Sequence, residues 1–206
     1  MILAGLASIA NDWKWLAIGW HVLLAALLVS LVAGWRPSAR SLGRLLGSTL
    51  ASVGAVAWLS DNPFNGTAFA IMAGALAWTT GRLSSGPIHF ARRGWAAAGV
   101  ALVIFGWTYP HFLRTESWAT YLYAAPFALL PCPTLCVVIG MSLLVDDLLS
   151  APWAAVLVLA GMFYGAFGVF RLGVQLDWAL LLGSALLAAV AVRDLHLRRE
   201  LVRHAF

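Results

Sequence analysis

The chain has 206 residues, 62% apolar and 10% charged, with 13 basic and 8 acidic side chains and a net charge of +5. A soluble domain is about 45–50% apolar and about 25% charged, so a water-soluble fold of this length would lack polar cover over much of its surface. That excludes an ordinary cytosolic enzyme, a nucleic-acid binder and a disordered chain, and leaves a protein whose partner is the lipid bilayer.

Met1–Asn11 is apolar but has neither a basic leading region nor a cleavage pattern, so it does not read as a signal peptide. A helix needs about 20 mostly apolar residues to cross the hydrocarbon core. Seven segments approach that length, at about 13–35, 41–60, 64–80, 94–113, 118–145, 151–170 and 177–192. They predict an all-α polytopic membrane domain covering 1–206, with no soluble domain, low-complexity linker or internal repeat. Asp61-Asn62-Pro63-Phe64-Asn65-Gly66 marks the turn between the second and third segments. Asn65-Gly66-Thr67 matches a glycosylation sequon but abuts the membrane and is discounted. Beyond Val192, the pairs Asp194–Arg198 and Glu200–His204 fit a helical tail along an anionic membrane surface.

With seven crossings the loops alternate sides. One side collects Arg36, Arg40, Arg44, Arg82, Arg92, Arg93, Arg193, Arg198, Arg199 and Arg203, the other only Lys14, Arg114 and Arg171. Positive residues stay cytoplasmic, so the expected amino terminus is outside, the carboxyl terminus inside, and the location a bacterial inner membrane. Trp13, Trp15, Trp35, Trp58, Trp95, Trp107, Trp118 and Trp178 fall near predicted ends, where amphipathic rings suit the headgroup layer.

The fifth segment is the most informative. Pro126, Pro131 and Pro133 cannot all sit inside one regular helix, because each removes a donor and crowds the preceding turn. One solution is a short helix from about Pro133 to about Val145 whose amino end lies within the membrane, as in the discontinuous helices of transporters. Its free N–H groups would attract an anion or a thiolate. The alternative makes 118–125 an interfacial turn and starts the helix near Phe127, with the prolines in its first two turns.

Tyr109, His111, Cys132, Thr134 and Cys136 form the candidate ligand site near this break. Cys132 and Cys136 share a helix face, and with His111 they are candidate ligands for a soft metal ion. Their spacing disfavours a disulfide, and free cysteine is also a common buried hydrophobe. His21 and His111 are the candidate pair for a haem b; the plainer reading is a histidine that hydrogen-bonds across helices. Asp146 and Asp147 fit pairing with Arg82, Arg92 or Arg93 better than metal binding. No nucleotide loop, Ser-His-Asp set or zinc spacing appears, and the reading leans away from an enzyme. It favours a small permease for a soft metal or small polar solute. The alternatives are a haem-carrying anchor of a redox complex and a structural or assembly subunit; a homo-oligomer fits any of them.

Tyr109-Pro110, Pro131-Cys132-Pro133-Thr134 and Gly173-Val174-Gln175-Leu176-Asp177-Trp178 resemble motifs of a bacterial family of multi-pass membrane proteins of unknown function. In that family a Pro-Asp-Pro-Thr stands where Pro131–Thr134 stands here, so the resemblance implies architecture and a polar side chain beside a helix break. It implies no thiol chemistry.

Overall fold

The computed structural model describes residues 2–204, the side chains of 198, 199 and 201–204 excepted. The Arg198 and His204 side chains of the two expected tail pairs therefore lie outside the described residues. Every regular element among the described residues is helical. In chain order these are α1 (Ile2–Asp12), α2 (Lys14–Val32), α3 (Ala39–Leu59), α4 (Pro63–Thr80) and α5 (Arg93–Thr108). After a 3₁₀ turn at Trp118–Thr120 come the single-turn α6 (Tyr121–Ala124), α7 (Pro131–Leu144), α8 (Ala151–Ala166) and α9 (Trp178–His204).

Local chemistry sets these boundaries. Ser38 caps α3 by accepting from the Ser41 amide at 3.1 Å. Asn62 does the same for α4, accepting from Asn65 at 3.2 Å, with Pro63 at the first helical position. Ser150 caps α8 in the same way. The segment expected over 94–113 stops at Thr108, because Tyr109 precedes Pro110 and leaves the helical region (φ −30°, ψ 100°). At the start of the chain, Ile2–Asp12 forms a helix of its own, separated from α2 by Trp13.

Among the described residues, four stretches are long and apolar enough to cross a membrane: α2, α3, α8 with the turn that follows it to Arg171, and α9 to Leu197 with the 3₁₀ turn before it from Gln175. Large apolar side chains stand outward on them, among them Val29, Val32, Leu59, Leu159, Phe170 and Leu182. Such a surface fits contact with lipid and would be unstable in water.

At the centre lies α7. All its residues except Cys132 and Leu144 are buried, against α5, α3, α8 and α9. A helix apolar on every side belongs inside a larger assembly of helices. Its 14 residues make a rod of about 21 Å, shorter than the roughly 30 Å of a hydrocarbon core. Glycines let α5 approach it closely. A Cβ on Gly99 would stand 2.5 Å from the Gly140 carbonyl oxygen, and one on Gly106 would stand 2.6 Å from that of Pro133. The Trp153 indole of α8 donates to Ser142 of α7 at 2.9 Å, satisfying both polar groups in the interior.

The arginine-bearing end is closed by the 81–92 connection. The Ala91 amide donates to Leu144, and that of Asp146 to His89. His89 meets Asp147 at 3.2 Å, so Asp147 pairs with a histidine rather than with the arginines expected for it. Asp146 feels the charge of Arg92 at longer range but makes no ion pair with it.

Candidate functional site

The opposite end of the bundle holds a buried carboxylate. Past Ala166, α8 widens into a π turn over Phe167–Arg171, a form that recurs at functional sites. Gly173 (φ +72°) then reverses the chain, Val174 donates its amide to the Gly168 carbonyl at 2.9 Å, and Asp177 donates to Val174. This folds Asp177 back against α8. The carboxylate rests on Gly168, where any Cβ would overlap an Asp177 oxygen, so the site requires glycine there.

Tyr109 reaches the same carboxylate from α5. Its fully buried hydroxyl donates to Asp177 Oδ1 at 2.6 Å, within the range of a bond to an ionised acceptor. Phe105 meets the Tyr109 ring edge-on and Phe112 stacks on it, fixing its direction. Cys132, in the first turn of α7, places its thiol against the same carboxylate. The polar atoms that meet Asp177 among the described residues come from Tyr109 and Cys132, none from lysine or arginine, with His111 farther off.

Asp177 and Cys132 open onto a cavity of about 450 Å³, within the roughly 300–1,000 Å³ of small-molecule sites. Leu6 of α1, Leu130, Phe64, Phe163, Phe167 and Leu172 supply apolar wall, and Asn62, Asn65 and Tyr164 supply its other polar groups. The Tyr164 hydroxyl donates to Asn65 Oδ1 at 3.0 Å, joining α8 to α4. The Asn11 amide group ties the end of α1 to the 109–117 loop, donating to Phe112 O at 3.0 Å and accepting from Arg114 N at 2.9 Å. Two of the three non-glycine residues with left-handed φ among the described residues, Phe112 (74°) and Ala128 (59°), lie in the irregular stretches beside this site. Strained backbone of that kind persists only where its surroundings fix it.

The expected site residues separate into two groups. Tyr109 and Cys132 are at the carboxylate. Cys136 lies one turn deeper, buried and away from the cavity wall. Thr134 is also off the wall: its hydroxyl donates to Leu130 O at 2.7 Å and accepts from the Ala128 amide at 2.9 Å, pinning the strained turn. The His111 ring meets that of Phe112 at a tilt of 58° and is not part of the lining. No group of three or more His, Cys, Asp or Glu side chains among the described residues is arranged to hold a metal ion. Cys132, Cys136 and His111 thus do not come together as a ligand set. His21 is buried, with its ring nitrogens against the Ala17 and Trp107 carbonyl oxygens at 2.8 and 3.0 Å. It bridges α2 to α5, and neither nitrogen is presented to an iron.

The start of α7 also departs from expectation. Pro131 and Pro133 bring no N–H, which halves the donors of the first turn, and the neighbouring charge is a carboxylate. An anion has little to bind there.

Asp177, Asn62, Asn65, Tyr164 and Gly168 are the site residues that sequence reasoning missed. Asp177 looked like the polar threshold of a last helix and Asn65 like part of a turn. A signal was present: the three motifs that carry the family resemblance supply Tyr109, Cys132 and Asp177, the three groups that meet. Neither a family model, nor a curated protein, nor a solved structure matches the chain.

Proposed function

We propose that this is a seven-span membrane protein that binds a small solute in the Asp177 cavity and passes it through the bilayer as a permease. The spans are α2, α3, α4, α5, the α6–α7 pair, α8 and α9, with the amino terminus outside and the carboxyl terminus in the bacterial cytoplasm. Ten basic residues against three in the alternating loops support that orientation. In this arrangement α1 lies along the outer surface beside the cavity, and α7 begins within the membrane. Irregular backbone at that depth is tolerated where it is buried in protein or lines a cavity; residues 125–130 are buried, and Leu130 lines the cavity. The resemblance to an uncharacterised multi-pass family agrees with this architecture.

The observation that carries the reading is a cavity of about 450 Å³ ending on a buried carboxylate held by Tyr109. Buried ionisable groups at membrane depth mark substrate paths. The absence of a three-ligand cluster among the described residues favours an organic solute over a soft metal ion.

Proteoliposomes test this directly. Vesicles carrying the wild-type chain or Leu172→Trp, which fills the cavity, are incubated with a mixed pool of small solutes, and their contents are identified by mass spectrometry. Wild-type vesicles should accumulate a solute that the variant does not. Identical contents would overturn the proposal.

A further inference from the structure

We infer that the cavity selects an amphipathic molecule with one basic amine: a primary or secondary ammonium head on an alkyl or aryl body. This rests on the solute-binding reading above and names the solute's chemistry.

The head group follows from charge. Among the described residues, Asp177 is the only acidic side chain in the lining, and no Lys, Arg or His lines the cavity. Tyr109 fills a hydrogen-bonding position on Oδ1 and Cys132 approaches the carboxylate, but neither brings a positive charge. His111 acts on Asp177 only from outside the lining; a buried carboxylate that no cation touches is costly, and a ligand cation relieves that cost. A single carboxylate matches a single ammonium. If the empty site holds the neutral acid and the amine arrives as free base, the proton moves from the carboxyl oxygen to the amine nitrogen, giving carboxylate and ammonium with no further reactant. An anionic solute would meet like charge, and a polyhydroxylated one would leave hydroxyls unpaired against Leu6, Leu130 and Leu172.

The body follows from the walls and the rim. Phe64 and Phe163 lie 6.1 Å apart, and Phe163 stacks on Phe167 at 6.2 Å, a ladder of rings along one side of the cavity. Aromatic faces accept apolar groups and also attract ammonium ions. Phe64 and Phe163 are exposed on the surface that fits lipid contact, so a solute dissolved in the bilayer meets this side first.

The test uses the full chain in detergent with three probes of one shape: 4-phenylbutylamine, 4-phenylbutanol and 4-phenylbutyrate. Binding to wild type, Asp177→Asn and the cavity-filling Leu172→Trp is measured by equilibrium dialysis. The amine should bind wild type at least about tenfold more tightly than the alcohol, the size of one charge-assisted contact, and the butyrate more weakly than either. Asp177→Asn should erase the preference for amine over alcohol, and Leu172→Trp should abolish binding of both. Equal wild-type affinities for amine and alcohol, with both lost in Leu172→Trp, would overturn the amine assignment and leave the cavity reading intact. Probe binding indifferent to Leu172→Trp, or no binding at all, would overturn both. The wild-type comparison decides the amine assignment even if Asp177→Asn does not fold.

Discussion

Substituting Gly106 with alanine tests how the α5–α7 crossing holds the site together. The added methyl would stand 2.6 Å from the Pro133 carbonyl oxygen and 2.9 Å from Cys136 Cβ and Val137 Cγ2, where ordinary contacts begin near 3.4 Å. Two of these neighbours are a main-chain atom and a Cβ, which cannot swing aside, so the helices must part by several tenths of an ångström. Overpacking of this kind costs about 1–3 kcal/mol, partly masked by the gain of about 1 kcal/mol when alanine replaces glycine in a helix. Gly74→Ala on α4 isolates that gain, because nothing lies within 4 Å of its new methyl. Relative to Gly74→Ala, Gly106→Ala should therefore be less stable by about 1–3 kcal/mol. At about 2–4 °C per kcal/mol for a chain of this size, its melting temperature should be lower by about 2–12 °C. Thermal unfolding of both variants in the same detergent is the assay. Equal melting temperatures would refute the close approach of α5 to α7, and with it the means by which Tyr109 is brought beside Cys132.

Tyr109→Phe removes the donor to Asp177 and should destabilise by about 1–3 kcal/mol; Asp177→Asn should then cost less in that background than in wild type, read as the coupling in a double-mutant cycle. Thr134→Val leaves the buried Ala128 amide without its acceptor and should cost about 1–3 kcal/mol. Faster hydrogen exchange at Ala128, restored by Thr134→Ser, is its signature. At the arginine-bearing end, partial burial and then the nearby Asp147 and Asp194 push the Asp146 carboxyl above its ordinary 3.8, against the pull of Arg92 and His89. A pKa raised on folding means that stability is fullest below the ordinary value and falls as pH rises through the raised one. Asp146→Asn, neutral throughout, should therefore gain on wild type in melting temperature from acid to neutral pH; a constant difference would exclude the effect.

Much of the helical pattern was legible because short-range chemistry decides it. Asn62-Pro63 and Ser150 with Pro152 open helices through their own side chains and ring geometry, and composition alone announced a lipid-facing exterior. The site was less legible because its members meet across long stretches of chain: Tyr109 and Asp177 are 68 residues apart, and Tyr164 and Asn65 are 99 apart. Helical spacing correctly put Thr134 and Cys136 near Cys132, but it carries no information on depth, and one turn of helix separates cavity wall from dry interior. Gly168 gives no chemical signal of its own, since its role is to leave room for a carboxylate. His21 was conspicuous as a buried histidine, yet its partners are main-chain carbonyls, which no sequence pattern displays.

The enclosure of α7 carries a consequence for biosynthesis. A rod with no face for lipid cannot settle in the bilayer as a separate stave; it needs its neighbours around it. Two of those, α8 and α9, are translated after it, and the acid of the site is delivered at the threshold of α9. A ribosome-bound chain that has not yet released α9 thus holds the walls of the chamber without its acid. The apolar walls of the chamber are made before the acid that they enclose.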